Sequence, residues 1–398
     1  MKQKILFVTN RNILTTCGEL RLIKNRAETL FSEYKIPTDF IVLANSKRKN
    51  AEQKETINSG GNTTIIRQDV NNLISIISAK IELRMELQKR MQSGDYSLII
   101  FSGVGMPSYA KLVKRNSPTT KVFADVHGAS EDIIELVKDC PMKRKVFNRI
   151  VYLLDKHGIK SSVLYLDGYF VVTEALKDYL RQNYKINSKA EFYIAPCATV
   201  KTDEGYFKKY EEYRRTYRAK YNIEDLTKVF IYSGGVSSWQ CIEETISLYK
   251  KIKEKIIDSR LLLFSHNIDS VLKLVGDDKD IIVDMYRPEE LTKALCAGDF
   301  AFMLRTDCIT NNVAFPNKFL EYVQSKMKII TTPYVYEIAK QIKENELGFL
   351  YKADNNLREL ITFINTSKTN SDGIVKSVLS KNSFEVRLKL FNDYFKSI

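Results

Sequence analysis

Histidine is nearly missing from this chain, at three in 398 residues, and the six cysteines (Cys17, Cys140, Cys197, Cys241, Cys296, Cys308) stand apart with no CxxC pair. These scarcities argue against a zinc site or other metal centre and against a disulfide framework. All six thiols are expected reduced, with Cys296 and Cys308 packed in apolar surroundings. No run of 18 apolar residues is present, and Met1 leads straight into the apolar run KILFVT. A spanning helix and a signal peptide are therefore not expected, and the chain is expected in the cytoplasm. The GxGxxG fingerprint is missing too, as are an RNP-like segment, a helix-turn-helix and a basic stripe interleaved with stacking aromatics. Only charge speaks for nucleic acid, and no nucleic-acid partner is expected.

What is present is ordinary in amount and uneven in place. Apolar residues make up 44% and charged ones 28%, the balance of a soluble globular protein, and the length allows two domains with sizeable cores. Of the net charge of +14, residues 1–200 hold most, with 31 basic against 20 acidic side chains, compared with 31 against 28 in residues 201–398. An anionic partner for the first half, nucleic acid or an anionic membrane surface, fits that asymmetry.

Short apolar runs alternate with helical periodicity, the pattern of βαβ units in parallel sheets. In the first half, KILFVTN, a helix over Leu20–Tyr34 and DFIVLA (39–44) make one such unit. Gly18, between strand and helix, is an ordinary loop glycine or lies where a doubly wound fold holds an anionic ligand. KRKNAEQKETINSGGN (47–62) reads as a solvated loop, and a helix over 71–91 leads to SLIIFSG (97–103). KVFADVHG (121–128) runs out into Asp125, His127 and Glu131 at a strand's carboxyl end, where ligands sit in open α/β sheets. PMKRKVFNRIVYLL (141–154) sets Lys143, Arg144, Lys145 and Arg149 among Val146, Phe147, Ile150, Val151 and Leu154. Such an amphipathic helix either rests on an anionic leaflet or packs on the core with its charges in water. Thr173 is placed to cap the helix that follows GYFVV.

A boundary near residue 200 gives an N-terminal domain over 1–200, a second over 201–380 and a terminal helix over 381–398. KVFIYSGG (228–235) opens the second domain. Gly234 and Gly235 allow backbone to approach phosphate, Ser237 and Ser238 can cap a helix over 241–255, and Trp239 is either a packing anchor or part of a site. RLLLFSH (260–266) and DIIVDMY (280–286) follow, the latter leading through Tyr286 and Arg287 into another helix. The segment 299–332 then reads as a strand (300–304), a loop from Arg305 to Ala314, a helix over 316–325 with Pro316 in its first turn, and a strand (328–332). Its helix start offers free amides and a positive dipole end, suited to phosphate. Lys318 and Glu321 share one face, as nucleotide contacts or as a plain i, i+3 ion pair.

The run PNKFLEY before the strand KIITTP resembles the nucleotide-sugar site of retaining GT-B glycosyltransferases of the family-4 type. In that family a glutamate, seven residues and a second glutamate precede a small apolar strand ending in Thr-Pro. Glu321 matches the second, which binds ribose in the family. Val313 stands at the first, and Pro316, Asn317 and Lys318 resemble the Pro-Asn-Lys start of a subset lacking that acid. The resemblance implies donor contact through loop backbone at Asn312, Val313 and Ala314, and a base loop at Tyr286 and Arg287. Trp239 and Gln240 replace the family's Lys-Gly pair, so Arg305 or Lys318 would supply charge to the diphosphate. Pro196, Cys197 and Ala198 occupy the usual Pro-Asn-Gly position.

By the same resemblance the fold is α/β, with two Rossmann-like doubly wound domains facing across a cleft and the last helix returning to the first domain. It implies a retaining transfer from a UDP- or GDP-sugar to a glycan or lipid-linked acceptor, in cell-surface polysaccharide or glycolipid synthesis. No cofactor or metal is implied, and domain closure would exclude water. His127 matches a histidine that reaches the donor sugar in relatives, with Gly18, Asp125 and Glu131 on the acceptor side; the alternative for His127 is a structural role. The missing first glutamate and Lys-Gly pair keep a second reading, a non-catalytic GT-B partner subunit that binds acceptor or a second transferase.

Overall fold

The computed structural model describes all residues except 1–3, 12–17, 46–56, 70–71, 136, 139, 196–203, 353–355, 383–388, 390–392 and 394–398. Two compact units meet in the chain near residue 200. Pro196, Cys197 and Ala198, the loop before Gly18 and nearly all of the terminal helix expected over 381–398 lie outside the described residues.

The first unit is built on β1 (Lys4–Thr9), β2 (Thr38–Asn45), β3 (Gly60–Gln68), β4 (Tyr96–Ser102), β5 (Lys121–Val126), β6 (Gly168–Val171) and β7 (Glu191–Ile194). They form one parallel sheet in the order β3-β2-β1-β4-β5-β6-β7. Its central strands are buried along nearly their whole length and mostly apolar, as strands of a parallel sheet with both faces covered are. Ile23, Ala27 and Leu30, one face of the helix Gly18–Tyr34, are buried. Thr173 caps the helix Glu174–Asn183, its hydroxyl accepting from Leu176 N at 3.0 Å.

Strand β3 corrects the expectation of a solvated loop reaching residue 62. Its Gly-Gly pair resembles a turn signal, yet both glycines serve close approach: a Cβ on Gly61 would sit 2.2 Å from Thr38 O, and Gly60, at φ +65, lies against the Phe31 ring. The edge is tied by the buried Asp39, which accepts from Asn62 N at 2.8 Å and pairs with Lys4 at 2.7 Å and Arg90 at 2.8 Å. Tyr96 OH completes that set at 2.6 Å.

In the second unit β8 (Lys228–Ser233), β9 (Ser259–Phe264), β10 (Ile281–Asp284), β11 (Phe300–Met303), β12 (Lys328–Thr331) and β13 (Gly348–Leu350) form a parallel sheet in the order β10-β9-β8-β11-β12-β13. Phe230, Phe300 and Phe302 stack in its core with ring centroids 5.2 and 5.4 Å apart. Asp299, just before β11, accepts from Val229 N at 2.8 Å and pairs with Arg214 at 2.5 Å and Arg218 at 2.9 Å, fixing the helix Tyr210–Lys220 to the sheet.

Three local expectations change. The loop from Arg305 to Ala314 contains a short helix, Ile309–Asn312. Pro316, with ψ 126, is the cap before the helix Asn317–Gln324 and not a member of its first turn. The helix Ile242–Lys253 starts from Cys241 in the left-handed region at φ 52 with no side-chain cap, so Ser237 and Ser238 instead enter a preceding 3-10 turn.

Candidate active site

Counted from β8, the second sheet runs 3-2-1-4-5-6, so the strand order reverses between β8 and β11. At such a switch point the diverging loops leave a crevice beyond the carboxyl ends of the strands. A cavity of about 290 Å³ lies there, lined among others by Gly234, Gly235, Gln240, Tyr286, Arg305 and Lys318.

Each wall has a local cause. After β8 the chain turns through Gly234 and Gly235, and Tyr232 OH donates to Gly235 O at 2.6 Å and to Gln240 Oε1 at 3.1 Å. A Cβ on Gly234 would meet that hydroxyl at 2.9 Å. The helix Asn317–Gln324 is held to the same turn by the buried Tyr322, whose OH accepts from Ser233 N at 2.8 Å. Tyr286 is braced from behind: Lys220 Nζ donates to its hydroxyl at 2.6 Å, Tyr221 OH joins it, and Lys220 and Tyr221 also reach Asp284 at 2.8 and 2.7 Å. Phe264 meets its ring edge-on at 5.2 Å.

Arg305 sets the electrostatics. Its Nη1 donates to Leu304 O at 2.8 Å and Gln240 O at 3.4 Å, and among the described residues it has no carboxylate partner. Burial pushes its pKa down from the usual guanidinium value, a sign that the cation lacks compensation. Its backbone is pinned by Thr332, whose hydroxyl accepts from Arg305 N at 3.0 Å and donates to Arg305 O at 2.7 Å. Lys318, the other cation in the wall, pairs with Glu321 at 2.7 Å, so the i, i+3 contact is formed, partly buried at the cavity edge. Asn317, the residue before Lys318, does not line the cavity; its Oδ1 is buried without a hydrogen-bond partner. A desolvated cation, a glycine turn and a helix start can together hold a phosphate or diphosphate.

Other positions singled out from the sequence lie elsewhere. Trp239 is not among the residues lining the cavity; its carbonyl accepts from Asn311 Nδ2 at 3.3 Å, and Gln240 beside it forms the wall. Arg287 is exposed at the start of the helix Pro288–Ala294. Asn312 donates to Tyr334 O and Asp307 Oδ1, both at 3.0 Å; Val313 is buried, and Ala314 is half-buried next to it. None of the four lines the cavity. Sequence reading missed Gln240 and His266 as wall residues, although one ends the turn after β8 and the other follows β9 by two residues, the signal that finds such positions; Met285, in the base loop, does line the wall.

In the first unit Asp125 and His127 come together at the end of β5. His127 Nε2 lies 2.8 Å from Asp125 Oδ2, and Arg26, from the helix Gly18–Tyr34, reaches Asp125 Oδ1 at 2.6 Å and Ala195 O at 3.1 Å. Burial alone would raise the Asp125 pKa, but Arg26 and then His127 overcome it and hold the carboxyl far below its usual range. An ionised Asp125 only accepts, so Nε2 carries the proton and Nδ1 is left to accept when neutral or to donate when charged. Arg26 carried no motif and was invisible in the sequence. Glu131 belongs to a different cluster, where it accepts from Tyr179 OH, from Tyr152 OH at 3.0 Å and from Lys156 Nζ at 3.4 Å. Gly18 opens its helix as the first residue.

No known family pattern and no curated protein sequence matches the chain. Solved structures do match it end to end. A glycosyltransferase from Rickettsia africae ESF-5 superposes with a TM-score of 0.66 at 13% identity, over 100% of this chain and 98% of that one. A trehalose-6-phosphate protein from E. coli bound with UDP-2-fluoro glucose gives 0.64 at 9%, over 100% and 99%. S. aureus TarM, as a point mutant in complex with Fondaparinux, alpha-GlcNAc-glycerol and UDP, gives 0.59 at 10%, over 99% and 100%. Two parallel doubly wound sheets and this full-length likeness together show that the chain has the GT-B glycosyltransferase fold.

Proposed function

We propose that the protein is a retaining glycosyltransferase that uses a nucleotide-diphosphate sugar, UDP- or GDP-linked, and an acceptor hydroxyl on a glycan or lipid-linked glycan of the cell surface. The single observation that supports this most is Arg305: a desolvated guanidinium with no carboxylate partner among the described residues, in the wall of a switch-point cavity. A diphosphate supplies the charge that this position lacks. Similar structures carrying UDP or a UDP-sugar analogue support the same reading.

In this assignment Arg305, Lys318 and the amides at the start of the helix Asn317–Gln324 face the diphosphate, Tyr286 and Met285 flank the base, and Glu321 accepts from ribose. The bond from the anomeric carbon to the diphosphate breaks and one to the acceptor oxygen forms, with the acceptor proton leaving alongside the diphosphate. Fixed cations favour that step because negative charge grows on the leaving group. His127, held by Asp125 and Arg26, is the group of the first unit assigned to the sugar or acceptor.

The second reading, a non-catalytic partner subunit, keeps support from Val313, an apolar and buried side chain at the position of an acid, and from Trp239 and Gln240 in place of a Lys-Gly pair. A thermal-shift panel of UDP, GDP, ADP, CMP and CDP forms separates the two. A ligand that binds only the folded state raises its midpoint by mass action. A shift with one base supports the transferase and names its donor class; silence across the panel from folded protein overturns it.

A further inference from the structure

The helix Met142–Ser162 turns its apolar side outward, so of the two readings of this segment its apolar residues do not pack on the core. Its buried residues are Asp155, Gly158, Ile159 and Ser162, and its rotation is pinned by Asp155, which accepts from Gly105 N at 3.1 Å and Ser130 OH at 2.7 Å. Met142, Val146, Phe147, Ile150, Leu153 and Leu154 are left between 53% and 71% exposed. The helix Leu73–Gln92 repeats the arrangement. Ala79, Leu83, Leu87 and Met91 are buried, while Ile74, Ile77, Ile81 and Met85, at spacings of three and four, are between 49% and 76% exposed.

Both helices lie in one layer. The crossovers β3 to β4 and β5 to β6 run in the same direction across a parallel sheet, and right-handed connections then place their helices on the same face. Contacts join them: the helix Ala110–Asn116 packs on Leu73–Gln92, and the turn Met106–Tyr109 packs on Met142–Ser162. Cations edge the two stripes, Lys80 and Arg84 on the first helix and Lys143, Arg144, Lys145 and Arg149 on the second, and among the described residues none of the six forms an ion pair.

We propose that these two helices form a docking face for an anionic membrane leaflet, both apolar stripes entering the headgroup boundary while the cations meet lipid phosphates. Lipid is favoured over a second copy of the chain because, among the described residues, cations outnumber the one exposed carboxylate, Glu82, beside the apolar stripes; a symmetric copy would bring the cations against each other, whereas an anionic surface neutralises them. No described helix is long and apolar enough to span a membrane, so the face lies on the surface. Vesicle binding needs no sugar donor, and the proposal stands apart from the transferase reading.

The test is co-sedimentation of the full chain with vesicles of phosphatidylcholine alone and of equal parts phosphatidylcholine and phosphatidylglycerol. Binding to the second and little to the first is expected. Replacing Lys143, Lys145 and Arg149 by Gln should weaken partitioning about fivefold per charge, from roughly 1 kcal/mol for each cation near the surface. The double change Ile77→Ser, Ile81→Ser, on the other helix, should weaken it further at unchanged melting temperature. Failure to bind anionic vesicles overturns the proposal, as does wild-type binding by the serine variant. A wild-type dimer in analytical ultracentrifugation that becomes monomeric in the serine variant also overturns it, assigning the face to a second copy.

Discussion

Replacing Arg305 by Met removes one charge from the cavity wall while keeping most of the side chain's volume. Among the described residues the guanidinium donates to two backbone carbonyls, of Leu304 and Gln240, and is desolvated by its surroundings. Those hydrogen bonds come from a charged donor and contribute about 1.5–3 kcal/mol each, and releasing an uncompensated, partly desolvated cation offsets a comparable amount, so folding stability should change by no more than about 2 kcal/mol. Binding should respond differently. A hydrogen bond to a charged group contributes about 1.5–3 kcal/mol, so affinity for a nucleoside diphosphate should fall about 10- to 150-fold. Calorimetric titration with the diphosphate and with its parent nucleoside reads the two effects apart. The nucleoside should bind both proteins alike, and Arg305→Lys should recover part of the loss. Equal losses for nucleoside and diphosphate, or no loss for the diphosphate, would refute the assignment of this side chain to phosphate.

Glu321→Ala should cut sugar transfer by at least tenfold with the fold intact, because the i, i+3 pair with Lys318 contributes only a few tenths of a kcal/mol while a ribose contact to a carboxylate contributes about 1.5–3; unchanged turnover at both low and saturating donor, measured with radiolabelled sugar, would contradict it. Asp39→Ala should destabilise the first unit by up to about 3 kcal/mol at neutral pH, since it leaves Lys4 without its carboxylate partner and Arg90 with Glu86 alone. Asp39 has a folded pKa lowered below the unfolded value of about 3.9, despite burial that raises it, so its contribution is complete above that pH and is lost as pH falls through the folded value. Urea unfolding of the two proteins should therefore differ most near neutrality and converge in acid.

Strand identity was legible where apolar runs are unbroken, as in KVFIYS and YSLIIFS, because a buried parallel strand has no other way to satisfy its composition. β3 was not legible, since an edge strand of alternating exposure carries Gly60 and Gly61 for steric reasons that only the neighbouring strand reveals. The segment 299–332 yielded Arg305 and Lys318 at the cavity because a strand end and a helix start are fixed by local pattern. Gln240 and Arg26 were hidden for the opposite reason: one depends on a hydroxyl eight residues back and the other on a carboxylate 99 residues away. Periodicity left two orientations open for Met142–Ser162, and the choice lay in a polar anchor, Asp155, that sets that helix's rotation and bears no motif.

The pairing of Asp299 with Arg214 and Arg218 redraws the limits of the smallest autonomous piece of the second unit. A fragment cut at Lys228, where the sheet begins, would retain every strand and still strip Asp299 of both guanidinium partners. It would also remove Tyr206, whose hydroxyl meets Thr292 O at 2.9 Å and Ser325 Oγ at 3.2 Å. The segment ahead of the first strand is thus a structural clasp rather than a tether, and an expressible second unit should start before Glu204, not at the strand where likeness of topology would place it.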